Sequence, residues 1–398
     1  MRLLLAIQDS MGHLLPSIRF GQLVQALGHG VVAVSADRHG ALLDQSGIEH
    51  IPVRNADGPF MSMTDWYNVE TVKVQVRVLD SLVEQVQPDA VVCGPLAISA
   101  MIFAERHSLP VGVLGYSTYL YPGLDETAEG RSWRLRSITG FYNSARAALG
   151  MAPVAADPES SPLIGDCHLL RNVPEFTGPA RLPESVLHVG ALHGEPGAGH
   201  FAAREFARHW RARGRRIVFV QIGRLFGEGD LWRRLTIALD RLGLAAIADT
   251  GRADYLRESA DQPAHCFATR FASIGDVVDL VDAVICSGHG ASLLGAMTHR
   301  KPIACLPTTA DTVELADRAA ACGLGVSIDS SLDSDALQTR LREFLDRHAA
   351  GAFDQSLERY CASLGRWKSR EPEVVAAMLE RLMEIRRARA PAHAELSA

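Results

Sequence analysis

The chain has no Cys-x-x-Cys pair, and its seven cysteines are scattered. Such spacing supports neither a zinc site nor a disulfide framework; it suits a reducing cytoplasm. No apolar stretch reaches 18 residues, so no membrane span is expected. The first apolar run, Leu3–Ile7, stops at Gln8 and Asp9 and is too short for a secretory leader. Basic residues are not in excess. Lys and Arg number 40 against 46 Asp and Glu, a net charge of −6, which argues against a nucleic-acid partner. The one basic cluster, 211–216 (RARGRR), reads as the flank of a domain linker. No internal repeat stands out. No Gly-x-Gly-x-x-Gly follows the first apolar run, which disfavours a dinucleotide-dependent dehydrogenase. No His/Cys/Asp/Glu cluster is evident, so metal-independent chemistry is expected.

What is present is apolar and regularly spaced. The 398 residues are 47% hydrophobic and 22% charged, ordinary for two or three domains with large cores. Strand-like runs recur at 3–7, 31–35, 48–53, 90–93 and 111–115. Helical patterns fall between them, as in Val69–Val86, where Val72, Val76, Leu79 and Val83 share a face. This alternation predicts a parallel, doubly wound sheet over residues 1–192. GALHGEPGAG (190–199) opens a linker placed at 193–214. A second α/β unit follows at 215–365, with strands at 217–222, 244–248, 264–268, 281–286, 303–306 and 325–328. Residues 333–348 predict an amphipathic helix, and 354–388 predict tail helices. Residues 389–398 are expected to be disordered.

Two loops carry the chemistry. VDAVIC (281–286) reads as a buried strand, Ser287–Ser292 (SGHGAS) as a small-residue loop, and Leu293–His299 as a helix. Amides of a first helical turn lack partners and carry partial positive charge, so this is a site for an anion. The plainer alternative is an ordinary strand-to-helix turn. At the other end, His13 sits on the loop leaving the first strand, before a helix that Pro16 suits as a first-turn residue. Ligands of open α/β sheets bind at that edge. A lone histidine there is more often a structural hydrogen-bonder than a base.

Taken together, MGHLLPSIRFGQLVQALGHGVVAVS, QPDAVVCGPLAISAMIFAERHSLPV, NVPEFTGPARLPESVLHVGAL and VDAVICSGHGASLLGAMTHRKPIACLPTTADTVELADRAAACGLGV resemble, in order, four segments of the family-one nucleotide-sugar glycosyltransferases. The resemblance implies the GT-B fold: two Rossmann-like domains facing across a cleft, with helices in 366–398 crossing back to the first domain, a crossing that Pro372 would mark. It implies an inverting enzyme of microbial, natural-product type. His13, in the family's Gly-His-x-x-Pro, would be the general base. The co-substrate would be a UDP- or dTDP-sugar, and the acceptor a small natural product or lipid-like alcohol. No further cofactor is implied, the enzyme would be cytoplasmic, and a homodimer is compatible.

The same resemblance assigns donor binding to Gly223, Arg224, Ser287, Gly288, His289, Gly290, Ala291, Ser292, Asp311 and Thr312. Several of these depart from the family pattern. Ser287 stands where the family has a phosphate-contacting histidine, and an imidazole returns two places later at His289, either to restore that contact or as a plain loop residue. Arg224 replaces a serine, and is either a phosphate partner or a solvated side chain. Thr312 replaces a sugar-reading glutamine after the acid Asp311. Phe271 keeps only the aromatic of the base-binding run. Gly94 stands where many relatives place an aspartate beside the histidine. The acceptor pocket is expected among Met61, Trp66, Tyr116, Tyr119, Trp133 and Phe141, apolar groups suited to a flat ligand or equally to core packing. The competing readings are a nucleotide-sugar 2-epimerase or lipid-linked sugar transferase on the same fold, and a catalytically silent auxiliary binding protein.

Overall fold

A computed structural model describes residues 1–55, 58–59, 61, 65–116, 128–157, 161–178, 182–193, 201–223, 230–250, 263–269, 274–308 and 310–389; the side chains of 55, 58–59, 128–132 and 310–311 lie outside the description. The chain forms two compact units, Met1–Gly194 with Trp367–Ala398, and Glu195–Arg366.

In the first unit the elements alternate: β1 (Arg2–Ala6), α1 (Met11–Ala26), β2 (Gly30–Ala36), α2 (Gly40–Gln45), β3 (Glu49–Asn55), β4 (Gly58–Pro59), α3 (Val69–Val86), β5 (Ala90–Cys93), α4 (Ile98–Arg106), β6 (Val111–Gly115), α5 (Ala128–Ala148), β7 (Cys167–Leu170), α6 (Pro174–Thr177) and β8 (Val186–His188). Its sheet runs β4-β3-β2-β1-β5-β6-β7-β8. All pairs are parallel except β3 with β4. Side chains of Leu3–Ala6 in β1, of AVVC and of VGVLG are buried on both faces, which is why these strands read as continuous apolar runs. Leu3 lies between Val31 of β2 and Ala90 of β5.

β7 carries a fully buried histidine, His168, whose Nε2 donates to the Gly115 carbonyl at 3.2 Å. Burial pushes this imidazole down to about 4. The unfolded chain therefore takes up a proton near pH 6.5 that the folded chain refuses until about 4. Stability should be fully present above pH 6.5 and should fall as pH drops through that window, by up to roughly 3 kcal/mol. Thermal melts between pH 4 and 7 should show this slope, and His168→Leu should reduce it, the rest coming from His50, His188 and His265, whose imidazoles burial also lowers.

The second unit contains α7 (Phe201–Arg211), β9 (Arg216–Gln221), α8 (Leu231–Arg241), β10 (Leu244–Asp249), β11 (Cys266–Thr269), α9 (Ile274–Val277), β12 (Ala283–Cys286), α10 (Gly290–Thr298), β13 (Ile303–Cys305), α11 (Ala310–Ala321), β14 (Gly325–Ser327), α12 (Ser334–Ala349) and α13 (Asp354–Arg389). Its sheet runs β11-β10-β9-β12-β13-β14, all parallel. Asp333 caps α12, accepting from Asp335 N at 3.1 Å and Ala336 N at 2.8 Å. Residues 201–211, read from sequence as linker, are helix, because Ala203 and Ala207 bury one face of α7.

α13 leaves the second unit at Arg366 and enters the first at Trp367. Pro372 lies within it without ending it. Beyond that point Met378, Leu379 and Leu382 join the core formed by Leu3, Leu5, Ala90 and Val92. Gly112 makes room for this: a Cβ there would collide with the Met378 methyl. Among the described residues, two ion pairs fasten this part of the helix to the first unit, Arg19–Glu371 at 2.8 Å and Arg389–Asp166 at 2.6 Å. Residues 390–398, expected to be disordered, lie outside the described residues.

Candidate active site

Each sheet has one point where chain direction diverges. In the first unit β1 leads to β2 on one side, while its other neighbour, β5, leads to β6 on the opposite side. Loops leaving such a pair part and open a crevice at the carboxyl ends of the strands. Ser10–His13 follows β1, and Gly94 follows β5. The second unit repeats the arrangement with β9 and β12, followed by Gly223 and by Ser287–Ser292.

His13 is in the first turn of α1 rather than in a loop, since the helix begins at Met11 with Ser10 as N-cap. The Ser10 carbonyl accepts from His13 N at 3.1 Å and Leu14 N at 2.9 Å. The Ser10 hydroxyl lies 2.9 Å from His13 Nδ1. If Nδ1–H donates to that hydroxyl, the Nε2 lone pair is left to take a proton. Three further polar groups near this edge were not legible in sequence. Asp9 is completely buried, ion-paired to Arg38 and 3.1 Å from His39 Nε2. Arg171, just beyond β7, is buried and donates to the Gly12 carbonyl at 3.1 Å. Gln8 is buried with its Oε1 unpaired.

Of the residues expected to line an acceptor pocket, Trp66 and Phe141 come together edge to face, centroids 5.2 Å apart. Tyr67 joins them at 5.4 Å from Trp66. Phe141 and Tyr67 are exposed, and Trp133, also on α5, is 64% exposed. Tyr116 packs on the adjoining core. Met61 does not fit the expectation of a lining residue: its side chain is 2% exposed and belongs to the core. Its backbone is what reaches the edge, the carbonyl accepting from Asp9 N at 3.0 Å. Tyr119 lies outside the described residues.

In the second unit the loop after β12 is shaped by Gly288, at φ +86°, where a Cβ would sit 2.7 Å from the Thr312 carbonyl. Only glycine allows both that backbone and that approach. The loop is thereby held against the start of α11, which carries Asp311 and Thr312. Thr312 is buried, and its Oγ1 accepts from Thr308 N at 3.2 Å. The Asp311 side chain and all of Arg224 lie outside the described residues. Gly223, at φ +58°, lies under the His289 ring: a Cβ there would be 3.9 Å from Nε2. His289 is the N-cap of α10, and Gly290, Ala291 and Ser292 form its first turn. Their amides have no partner four residues back within the helix. The Ser292 hydroxyl is committed inward, donating to Gln221 Oε1, while Gln221 Nε2 donates to Asp249 at 2.8 Å. What this turn offers an anion is main-chain N–H groups and the helix dipole. Ser287 is buried with its Oγ unpaired. Among the described residues, no group of three His, Cys, Asp or Glu could hold a metal, and no helix is long and apolar enough to cross a membrane.

Comparison with solved structures gives matches over nearly the whole chain. The glycotransferase of kitacinnamycin superposes with a TM-score of 0.71 at 17% identity, covering 96% of this chain and 98% of its own. The fold is GT-B. The glycosyltransferase VinC, crystallised with dTDP, gives 0.66 at 18% identity over 96% of this chain and 100% of its own. CalG4, the calicheamicin glycosyltransferase, gives 0.67 at 16% identity over 96% and 98%. In sequence, 4'-demethylrebeccamycin synthase of Lentzea aerocolonigenes is 23% identical over 409 residues, 90% of this chain and 96% of the relative. No protein-family model matches.

Within this GT-B frame the missing aspartate has a local explanation. A Cβ at Gly94 would collide with Gln8 Oε1 and lie 2.8 Å from His13 Cδ2. The space that an aspartate would need at 94 is filled by the Gln8 amide. Gln8 and Gly94 thus fit each other, and Ser10 is what touches the imidazole instead.

Proposed function

We propose that this chain is an inverting glycosyltransferase of natural-product type. It moves a sugar from a nucleoside-diphosphate donor to a hydroxyl group of a small-molecule acceptor. The observation that carries the reading is that each unit has its own switch point, with His13 at that of the first and the glycine-bearing loop with a helix N-terminus at that of the second. His13 Nε2 takes the acceptor proton as the acceptor oxygen attacks the anomeric carbon. The bond to the diphosphate breaks, and its electron pair leaves with the diphosphate. Amides of Gly290, Ala291 and Ser292 stabilise the growing charge. In-line attack with no glycosyl-enzyme nucleophile gives inversion. Asp311, whose neighbour Thr312 packs against Gly288, orients the donor sugar, while the buried Thr312 holds the start of α11 in place. Trp66, Tyr67 and Phe141 supply an aromatic face suited to a flat acceptor.

A thymidine-based donor is supported by VinC, whose structure contains dTDP. The test is a panel of dTDP- and UDP-sugars incubated with polycyclic aromatic alcohols. A new glycoside of inverted anomeric configuration by NMR is expected, and dTDP release should depend on the acceptor. A sugar altered in the absence of acceptor would instead mean an epimerase. Nucleotide binding with no turnover across the panel would mean a silent binding protein.

A further inference from the structure

Pro16 lies in the second turn of α1, six residues past the Ser10 cap. In sequence it suited a first turn, but the helix starts at Met11. A proline there has no N–H to give to the carbonyl four residues earlier, and its ring crowds that carbonyl. The carbonyl belongs to Gly12, the residue before His13. Glycine is itself a poor helix former. The turn that carries the imidazole is therefore weak by its own sequence.

Arg171 makes up the deficit. Its Nη1 donates to the Gly12 carbonyl at 3.1 Å. Its Nε and Nη2 both donate to the Ala191 carbonyl, at 3.1 and 2.9 Å. The side chain is 7% exposed, and burial lowers its guanidinium to about 10. A cation this deep is tolerated only where its hydrogen bonds are made. The rigid fork of a guanidinium spans two carbonyls at once, which a lysine ammonium on a flexible stem does poorly.

We propose, on the reading that His13 is the base, that Arg171 is its positioning residue. It replaces the hydrogen bond that Pro16 cannot make and pins the first turn of α1 to the segment after β8. The base must reach the acceptor hydroxyl at hydrogen-bond distance, and a displacement of about an ångström costs on the order of 10²-fold in rate. Arg171 touches neither substrate and acts through the backbone of Gly12.

The test is a rescue. Arg171→Met keeps the stem and removes the donors. It should lower kcat by roughly 10–100-fold, leave donor KM and dTDP affinity within about twofold, and speed amide hydrogen exchange at His13 and Leu14. Adding Pro16→Ala gives residue 16 an N–H for the Gly12 carbonyl. The double variant should regain most of the lost kcat and slow that exchange again. A folded Arg171→Met with unchanged kcat, or a double variant with no recovery, overturns the proposal. Should Arg171→Met fail to fold, Arg171→Lys takes its place: a kcat loss that Pro16→Ala repairs supports the anchor, and no loss overturns it. Exchange at His13 and Leu14 is read without substrates. If the wild-type chain transfers no sugar, the functional reading fails, while exchange still decides whether Arg171 holds the turn.

Discussion

His13→Ala should lower kcat by about 10²–10⁴-fold, the usual span for loss of a general base, with dTDP affinity unchanged within about twofold. The separation follows from where each group lies. His13 is in the first unit, and the first turn of α10, the proposed diphosphate site, is in the second. The Ser10 hydroxyl contacts the ring at Nδ1, and alanine at position 13 leaves Ser10 free to bond water. The fold should tolerate the change, because His13 is only half-buried and its backbone bonds to the Ser10 carbonyl remain. Single-turnover rates with a hydroxyl acceptor are the measurement. Full activity in His13→Ala would remove the base assignment, and with it the reason for Arg171 to be where it is. An acceptor that arrives already ionised should suffer least, so the loss should shrink as acceptor pKa falls.

Gly290→Asp should divide stability from binding. Gly290 is the first residue of α10, has no left-handed backbone, and has no heavy atom within 4 Å of a Cβ built on it. The aspartate therefore fits without strain. An acid in a first helical turn adds about 0.3–1 kcal/mol through the helix dipole, and replacing glycine stiffens the unfolded chain. Tm should hold or rise slightly. Affinity for dTDP should fall at least about tenfold, because two like charges some 5 Å apart repel by roughly 3 kcal/mol at an effective dielectric of 20, before screening. Calorimetry and a thermal melt on one sample measure both. Unchanged affinity would mean that the diphosphate does not use this turn; a joint fall would mean that the loop itself has come apart. Ser292 would be a poorer site for this experiment, since its hydroxyl already serves Gln221.

Most strands were legible because they are buried on both faces, and burial on both faces leaves an unbroken apolar run. AVVC and VGVLG needed no alternation to be recognised. β7 and β8 are not legible: at four and three residues, CHLL and VLH are too short to stand out as apolar runs, and each carries a histidine. The start of α1 was misplaced although its signal was present. Ser10 is a good N-cap residue immediately before Met11, and the glycine at 12 masked it. Asp9 with Arg38 and His39, and Arg171 with Gly12, lay beyond reach for a different reason. Their partners are 29 and 159 residues apart, and only the sheet order brings them together. Gly94 was seen as a departure, but the Gln8 amide that fills its place is on the neighbouring strand's loop, where no spacing rule leads.

The course of α13 bears on how the protein is made. The face of the first sheet that holds Leu3, Leu5, Ala90 and Val92 is completed by Met378, Leu379 and Leu382. Those side chains leave the ribosome only after the whole of the second unit, Glu195–Arg366, has been synthesised. At typical elongation rates that is a wait of roughly 10–30 s, during which an apolar face of the amino-terminal half stands open. The second unit is contiguous in sequence and can close before the first is completed, so the first unit is expected to finish folding last. Nascent chains held with residue 366 at the mouth of the exit tunnel should accordingly show a protected second unit and an unfinished first, and the amino-terminal half is where chaperones would be engaged.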